Sequence, residues 1–214
     1  MLQWAKRPVA AVLALGFAAS AWAAEPPSGT VIYGIHHEKY GDVGTHKLTF
    51  SQSGEDLMVE VRNKMKIKLL FVTLFSYKAD RRELWRDGKM VSYRSRTDDD
   101  GTDIAASAEL KGGKLVIEGP DGSAEAPLGV FPTNPWNSKI VEQSLLMDTK
   151  TGALLKVKID AAGEDTVEAR GKSFKARKYV ISGDMERELW FAEDGTWLQM
   201  RFDSDGSAVT FTLK

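Results

Sequence analysis

The sequence predicts a mainly β protein: a curved antiparallel sheet, a half-barrel or open barrel, built from two meanders with one short helix in the central crossing. Three observations predict it. Turn signals recur roughly every 10–15 residues, among them Gly41-Asp42-Val43-Gly44, Ser53-Gly54, Asp87-Gly88, Asp100-Gly101 and Asp205-Gly206, with β-branched and aromatic runs between them. From Leu57 to Leu69 the odd positions are apolar except Asn63, and the even positions are charged except Met58. That alternation marks a strand with one buried and one wet face, and at about 3.3 Å per residue it runs roughly 40 Å, a length that suits a curved sheet. Finally, past residue 29 every proline (Pro120, Pro127, Pro132, Pro135) falls in one sixteen-residue window, and proline is excluded from central strands.

The elements follow in order. Lys6 and Arg7, the apolar run Val9–Ala19 and the small-x-small Ala21-Trp22-Ala23 form a signal peptide over residues 1–23, cleaved after Ala23 for export to the periplasm. The run is too short to span a bilayer, and so is the most apolar later stretch, Leu69–Phe75. Residues 24–29 read as a disordered lead-in, with Pro26 and Pro27 blocking a helix. A single β domain follows over 30–214. Its first meander covers 30–119, its Pro-rich crossing 120–152 and its second meander 153–214. Within the crossing, Asn137 is placed to cap a short helix through about Met147, with Ile140, Val141 and Leu145 on its apolar face.

Composition narrows the function classes. The 214 residues carry 29 Lys+Arg against 30 Asp+Glu, which leaves no basic excess for nucleic acid. Removing Lys6 and Arg7 with the leader leaves 27 basic against 30 acidic residues, a net charge of −3. There is no cysteine, so thiol catalysis, Cys-based zinc sites and disulfides are all excluded. An exported chain without disulfides has to be held by its core.

An internal repeat supports two related halves. Arg82-Glu83-Leu84-Trp85 recurs as Arg187-Glu188-Leu189-Trp190, and at the same offset of 105 Arg96–Gly101 recurs as Arg201–Gly206. It reads as a repeated strand–turn–strand–turn unit. The run Glu83–Gly88, the Ser95–Asp99 turn, the loop Asn134-Pro135-Trp136-Asn137 and the closing Leu189–Phe191 to Arg201-Phe202 hairpin resemble a domain-of-unknown-function family of exported proteobacterial proteins. The resemblance spans essentially the whole mature chain and implies no particular activity. More remotely, the Trp-ended strands followed by a turn and an Arg-containing strand are similar to the periplasmic half-barrels of the lipoprotein carriers LolA and LolB. Those wrap a curved sheet around a hydrophobic cavity.

Few residues carry chemistry. If Asp42-Val43 is a two-residue hairpin loop, His37 faces Leu48, and His37 and His46 lie diagonally on one face with no third zinc ligand in sight; they read as ordinary strand histidines. The turns around Asp98, Asp100, Asp203 and Asp205 lack the first and last ligands of a calcium loop and read as solvated hairpins. Glu83 and Glu188, beside Arg82 and Arg187, read as members of cross-strand ion pairs. No nucleophile elbow, phosphate loop or dinucleotide fingerprint is present, so the sequence points away from an enzyme and implies no cofactor and no metal.

The apolar surplus is the most suggestive feature. Leu69–Phe75 breaks the alternation before it, which suits either a segment buried on both sides or one that closes an apolar pocket. Phe131 and Trp136 on the crossing suit either a lid or a plug. The basic edge Arg62/Lys64/Lys66/Lys68 is a wet sheet face that also suits anionic head groups. The expected function is therefore non-catalytic binding or carriage of a hydrophobic, lipid-like ligand in the concave face, with Leu70, Phe71, Phe75 and Trp136 as the candidate pocket. The expected partner is a lipid or acyl ligand, or a lipidated envelope protein. The alternatives are a structural or interaction module with a filled interior, and an envelope hydrolase or isomerase without a recognisable motif.

Overall fold

The computed structural model describes residues 28–214, so the leader and most of the lead-in lie outside the described residues. The first half is a run of eight strands: β1 (Gly29–His37), β2 (Gly41–Ser53), β3 (Asp56–Leu69), β4 (Val72–Arg86), β5 (Lys89–Asp99), β6 (Thr102–Lys111), β7 (Lys114–Gly119) and β8 (Gly122–Pro127). Two short strands, β9 (Phe131–Pro132) and β10 (Leu145–Met147), belong to the crossing. The second half is β11 (Leu154–Ala169), β12 (Lys172–Gly183), β13 (Arg187–Ala192), β14 (Trp197–Ser204) and β15 (Ser207–Leu213).

All fifteen strands form one open, curved sheet that does not close into a barrel, ordered β8-β7-β6-β5-β4-β3-β2-β1-β15-β14-β13-β12-β11-β10-β9. The two meanders meet at its centre, where β1 pairs antiparallel with β15 from Tyr33↔Leu213 to His37↔Val209. The sheet edges, β8 and β9, are consecutive in sequence and joined by residues 128–130 alone. Four Cα steps span at most about 14 Å, so the sheet must curl until its two edges nearly meet at that end.

The long strand falls where the alternation places it. Leu57, Val59, Val61, Asn63 and Ile67 of β3 point into the core, and Arg62, Lys64, Lys66 and Lys68 point out. Other expectations need correction. Residues 120–127, expected to open the crossing, belong to the sheet: Pro120 sits in the β7–β8 turn, and Pro127 ends the edge strand, a place where a missing donor costs nothing. No α-helix forms in the crossing. Asn137 does cap, accepting from the Lys139 N–H at 3.1 Å, but the turn is a 3-10 segment of five residues, Ser138–Glu142. Leu145–Met147, the remainder of the expected helix, are instead taken into the sheet between β9 and β11. The Gly41–Gly44 segment is strand rather than turn, the chain reversing over residues 38–40. Gly44 is required there, because a Cβ would lie 2.0 Å from the Lys64 carbonyl oxygen.

Candidate functional site

The concave face is closed by the protein's own crossing. Residues 130–136 run over β2 and β4, and Val130, Phe131, Thr133, Asn134 and Trp136 are buried. At the centre of this contact lies Glu83, which is 0% exposed. Its carboxylate accepts from Trp85 Nε1 at 2.9 Å, Trp136 Nε1 at 2.7 Å and Asn134 Nδ2 at 3.1 Å. The rings of Trp85, Trp136, Phe131 and Phe50 meet edge to face around it, with centroids 5.1–5.4 Å apart. Burial pushes the Glu83 carboxyl above the ordinary glutamate range, and the three donors with nearby Arg81 oppose that shift. A raised folded value means stability that is complete below the unfolded carboxylate range and is lost as pH rises through the folded value.

Glu83→Gln tests this arrangement. Both indole N–H groups can bond the amide oxygen, and the amide NH2 can meet Asn134 once that side chain turns over its Oδ1, which now has no partner. The variant is expected to stay within about 1 kcal/mol of the parent near neutral pH and to lose less stability on the alkaline side. Urea midpoints across pH read both outcomes.

Next to this box the inner face is polar. Arg81 on β4 donates from Nε to the Thr149 carbonyl at 3.2 Å and from its terminal nitrogen to Tyr77 Oη at 2.7 Å. Tyr93 Oη bonds the same Thr149 carbonyl at 2.5 Å. From the other meander, Arg187 Nη1 donates to the Thr133 carbonyl at 3.2 Å. Thr133 and Thr149 are hydroxyl to hydroxyl at 3.2 Å, which ties the two arms of the crossing together. Burial lowers Arg187, with the Arg81 charge adding to the effect, while burial raises Tyr93 and Tyr33. His46 and its register partner Asn63 complete the inner band; neither His46 nitrogen has a hydrogen bond, and its ring lies among Tyr33, Trp197 and Phe211. The otherwise apolar interior thus carries a band of arginine, glutamate, histidine and asparagine, groups that an acyl chain cannot satisfy.

The four residues expected to line one apolar pocket do not come together. Trp136 is buried in the glutamate box. Phe75 is half-buried at the rim of the core, opposite Ile67. Leu70 and Phe71 form the two-residue turn between β3 and β4, 87% and 103% exposed. Leu69–Phe75 is therefore not buried on both sides: 69–74 is a hairpin tip in solvent, and only Phe75 reaches the core.

Other expected features can now be placed. Glu188 does sit in an ion pair, with Lys178 at 2.5 Å and Arg201 at 3.7 Å, but Glu83 does not. The repeat is a strand–turn–strand–turn unit in both halves, with its faces reversed: Glu83 points inward and Glu188 outward, Arg82 outward and Arg187 inward. Its turns share their chemistry, since Asp98 and Asp203 each accept from the glycine N–H three residues on, at 2.9 Å. His37 pairs in register with Gly41 rather than Leu48, because the reversal lies at 38–40. Among the described residues no three His, Asp or Glu side chains gather to hold a metal.

Two clefts lie on the outer face. The first, of about 930 Å³, is walled by Arg62, Arg82, Arg94 and Arg96 over a floor of Ala105 and Ser107. Three of these arginines already hold carboxylates: Arg62 with Asp80, Arg82 with Glu60 and Arg94 with Glu109. The second, of about 410 Å³, lies between β12 and β15 beside Val180, Glu188, Arg201 and Phe202.

The family model of a domain of unknown function, DUF6134, matches residues 34–214. The chain belongs to that family. Its DUF6134 domain is similar in structure to a β-barrel-like protein of domain of unknown function DUF1849 from Brucella abortus. The TM-score is 0.61 with 13% identity, over 86% of this chain and 94% of that one. At that identity the likeness is one of fold. No curated protein matches the chain.

Sequence reading missed Glu83 and Arg81 as interior groups. Their signal was phase: Ala79, Arg81, Glu83 and Trp85 share one face of β4, and the two apolar members of that set mark the face as inward.

Proposed function

We propose that this protein is an exported, non-catalytic envelope module whose interior is occupied by its own crossing, so that it acts through its outer surface. The observation that carries this reading is the glutamate box. Glu83 takes its three donors from β4 and from the crossing, which makes the 130–136 segment an integral part of the core rather than a movable lid. A lid held by a fully buried carboxylate cannot open without giving up the Asn134 and Trp136 hydrogen bonds to it, at a cost of about 1.5–3 kcal/mol for each. The titratable groups Glu83, His46 and Arg81 are buried away from solvent and so from any substrate, and the half-buried Arg187 is spent on the Thr133 carbonyl. The polar inner band gives an acyl chain little to bind, which disfavours carriage of a lipid in the concave face. Export rests on the leader signals at residues 1–23 and on a cysteine-free chain held by a continuous core.

Native mass spectrometry of protein recovered from the periplasm tests both halves of the proposal. The expected mass is that of a polypeptide starting at Ala24 with nothing bound. A stoichiometric lipid adduct, lost on truncating Trp136 but retained when the β3–β4 turn is altered, would return the concave face to the role of container. A mass that includes residues 1–23 would remove cleavage after Ala23, and absence of the protein from the periplasmic fraction would remove the export reading.

A further inference from the structure

The β3–β4 hairpin outruns its neighbours. β2 pairs with β3 only as far as Met65, and β5 pairs with β4 only from Tyr77. Residues 66–76 therefore form a two-stranded end with no neighbour on either side; Ile67 and Phe75 still pack on the core, so the free part is 68–74, reaching roughly 10 Å at about 3.3 Å per residue. Its end is apolar and in water: Leu69, Leu70, Phe71, Val72 and Leu74 are all exposed, and none belongs to the core. Contiguous exposed apolar surface of this kind marks a contact site.

The turn itself is built against local preference. Leu70 takes φ 54°, in the left-handed region that favours glycine, asparagine or aspartate, whereas Phe71 does not have positive φ. Three other turns of the same sheet use Asp-Gly at this place: Asp87-Gly88, Asp100-Gly101 and Asp205-Gly206. Leucine and phenylalanine here are unfavourable both for the backbone and for solvation, the signature of a functional constraint.

Charge identifies the occupant. Lys64, Lys66 and Lys68 stand on the outer face of β3 immediately behind the tip, all exposed. Among the described residues no carboxylate pairs with any of the three, whereas farther back Arg62 holds Asp80, Lys78 holds Asp98 and Arg82 holds Glu60. An apolar point behind which free ammonium groups stand matches an anionic bilayer surface, with acyl chains below and acidic head groups at the level of the lysines. A protein partner fits less well. A hairpin end is far smaller than the roughly 800 Å² per side of a stable interface, and the unpaired outer edges at 66–69 and 72–76 are short for strand addition.

We infer that the tip Leu69–Leu74 inserts into an anionic lipid surface, with Lys64, Lys66 and Lys68 contacting the head groups. The inference does not depend on how the interior is filled.

The absence of cysteine allows a clean test. An environment-sensitive dye on Phe71→Cys should shift to the blue with phosphatidylglycerol vesicles and not with phosphatidylcholine vesicles. The same dye on Asp205→Cys, at the β14–β15 turn, should not respond. For the unlabelled full chain, Leu70→Gly/Phe71→Ser restores a glycine to the first turn position and so preserves the fold. It should weaken phosphatidylglycerol binding about tenfold or more, and Lys64→Gln/Lys66→Gln/Lys68→Gln should weaken it by about ten- to a hundredfold with a shallower salt dependence. All variants share the same N-terminal residues, so differences between them report the hairpin. Equal vesicle binding by parent and turn variant, or a silent dye at position 71, would overturn the inference. So would a dimer that the turn substitutions abolish without any vesicle binding by the parent.

Discussion

Trp136→Ala is expected to cost about 3–5 kcal/mol in urea unfolding, the range for removing a large aromatic from a filled core. Trp136 is 7% exposed, its ring packs edge to face on Phe50 and Trp85, and its indole N–H makes the shortest of the three bonds to Glu83. Truncation removes the ring and also leaves a buried carboxylate short of one donor, so the penalty should fall at the upper end of the range. It should shrink when Glu83 is replaced as well. In Glu83→Gln/Trp136→Ala the lost donor faces an uncharged amide, and the two changes should add to less than their separate costs. A pocket-mouth tryptophan would behave otherwise, costing about 1 kcal/mol or less and showing no coupling to position 83.

The parts of this architecture legible in the sequence are those governed by local rules. Alternation along Leu57–Leu69 reports one strand and its buried face, and Asp-Gly pairs report the turns, because both depend only on near neighbours. The glutamate box was not legible in the same way. Glu83 meets Asn134 and Trp136 across more than fifty residues of chain, and beside Arg82 it looks like half of an ordinary surface pair. Arg82 in fact pairs with Glu60, its register partner on β3. The helix expected after Asn137 failed for a related reason. Ile140, Val141 and Leu145 have helical spacing, but the free edge of β11 offers Leu145–Met147 a ladder that a helix of that length cannot match.

The hairpin tip shows the limit of composition as a guide to burial. Seven residues, six of them apolar, read as a segment buried on both sides or as the closure of an apolar pocket, because most such runs are covered. Here the length of the two strands decides otherwise. β3 and β4 are fourteen and fifteen residues long, and neither neighbour follows them to their ends. A run of this kind is buried only if another surface covers it, and among the described residues the core reaches only its last member, Phe75.

Acid should destabilise the protein through His46, and His46→Phe should remove that sensitivity. The imidazole is buried between Tyr33, Trp197 and Phe211 with both nitrogens unbonded. Burial pushes its pKa down from 6.5 to about 3; the Arg81 charge and, more weakly, that of Arg187 act in the same direction, and the Asn134 amide opposes them. A base whose folded value is depressed binds its proton more readily in the unfolded chain. The stability it contributes is therefore complete above the unfolded value near 6.5 and is lost as pH falls toward about 3. With one pKa unit worth about 1.4 kcal/mol, the loss between pH 7 and pH 4.5 is about 2–3 kcal/mol from this residue alone. The exposed carboxylates Asp42, Asp56 and Glu164, all lowered by hydrogen bonds to His36, Arg86 and Lys175, also favour the folded state less at low pH. They are common to parent and variant, so the difference between the two stability curves isolates His46. Phenylalanine keeps a flat ring among the same three aromatics, removes the two unpaired nitrogens and cannot take up a proton. The expected result is a His46→Phe curve that matches or exceeds the parent at pH 7 and lies above it by about 2–3 kcal/mol at pH 4.5. Parallel curves across that range would mean that the imidazole is reached by water or bonded in solution, and that the inner band is open at this point.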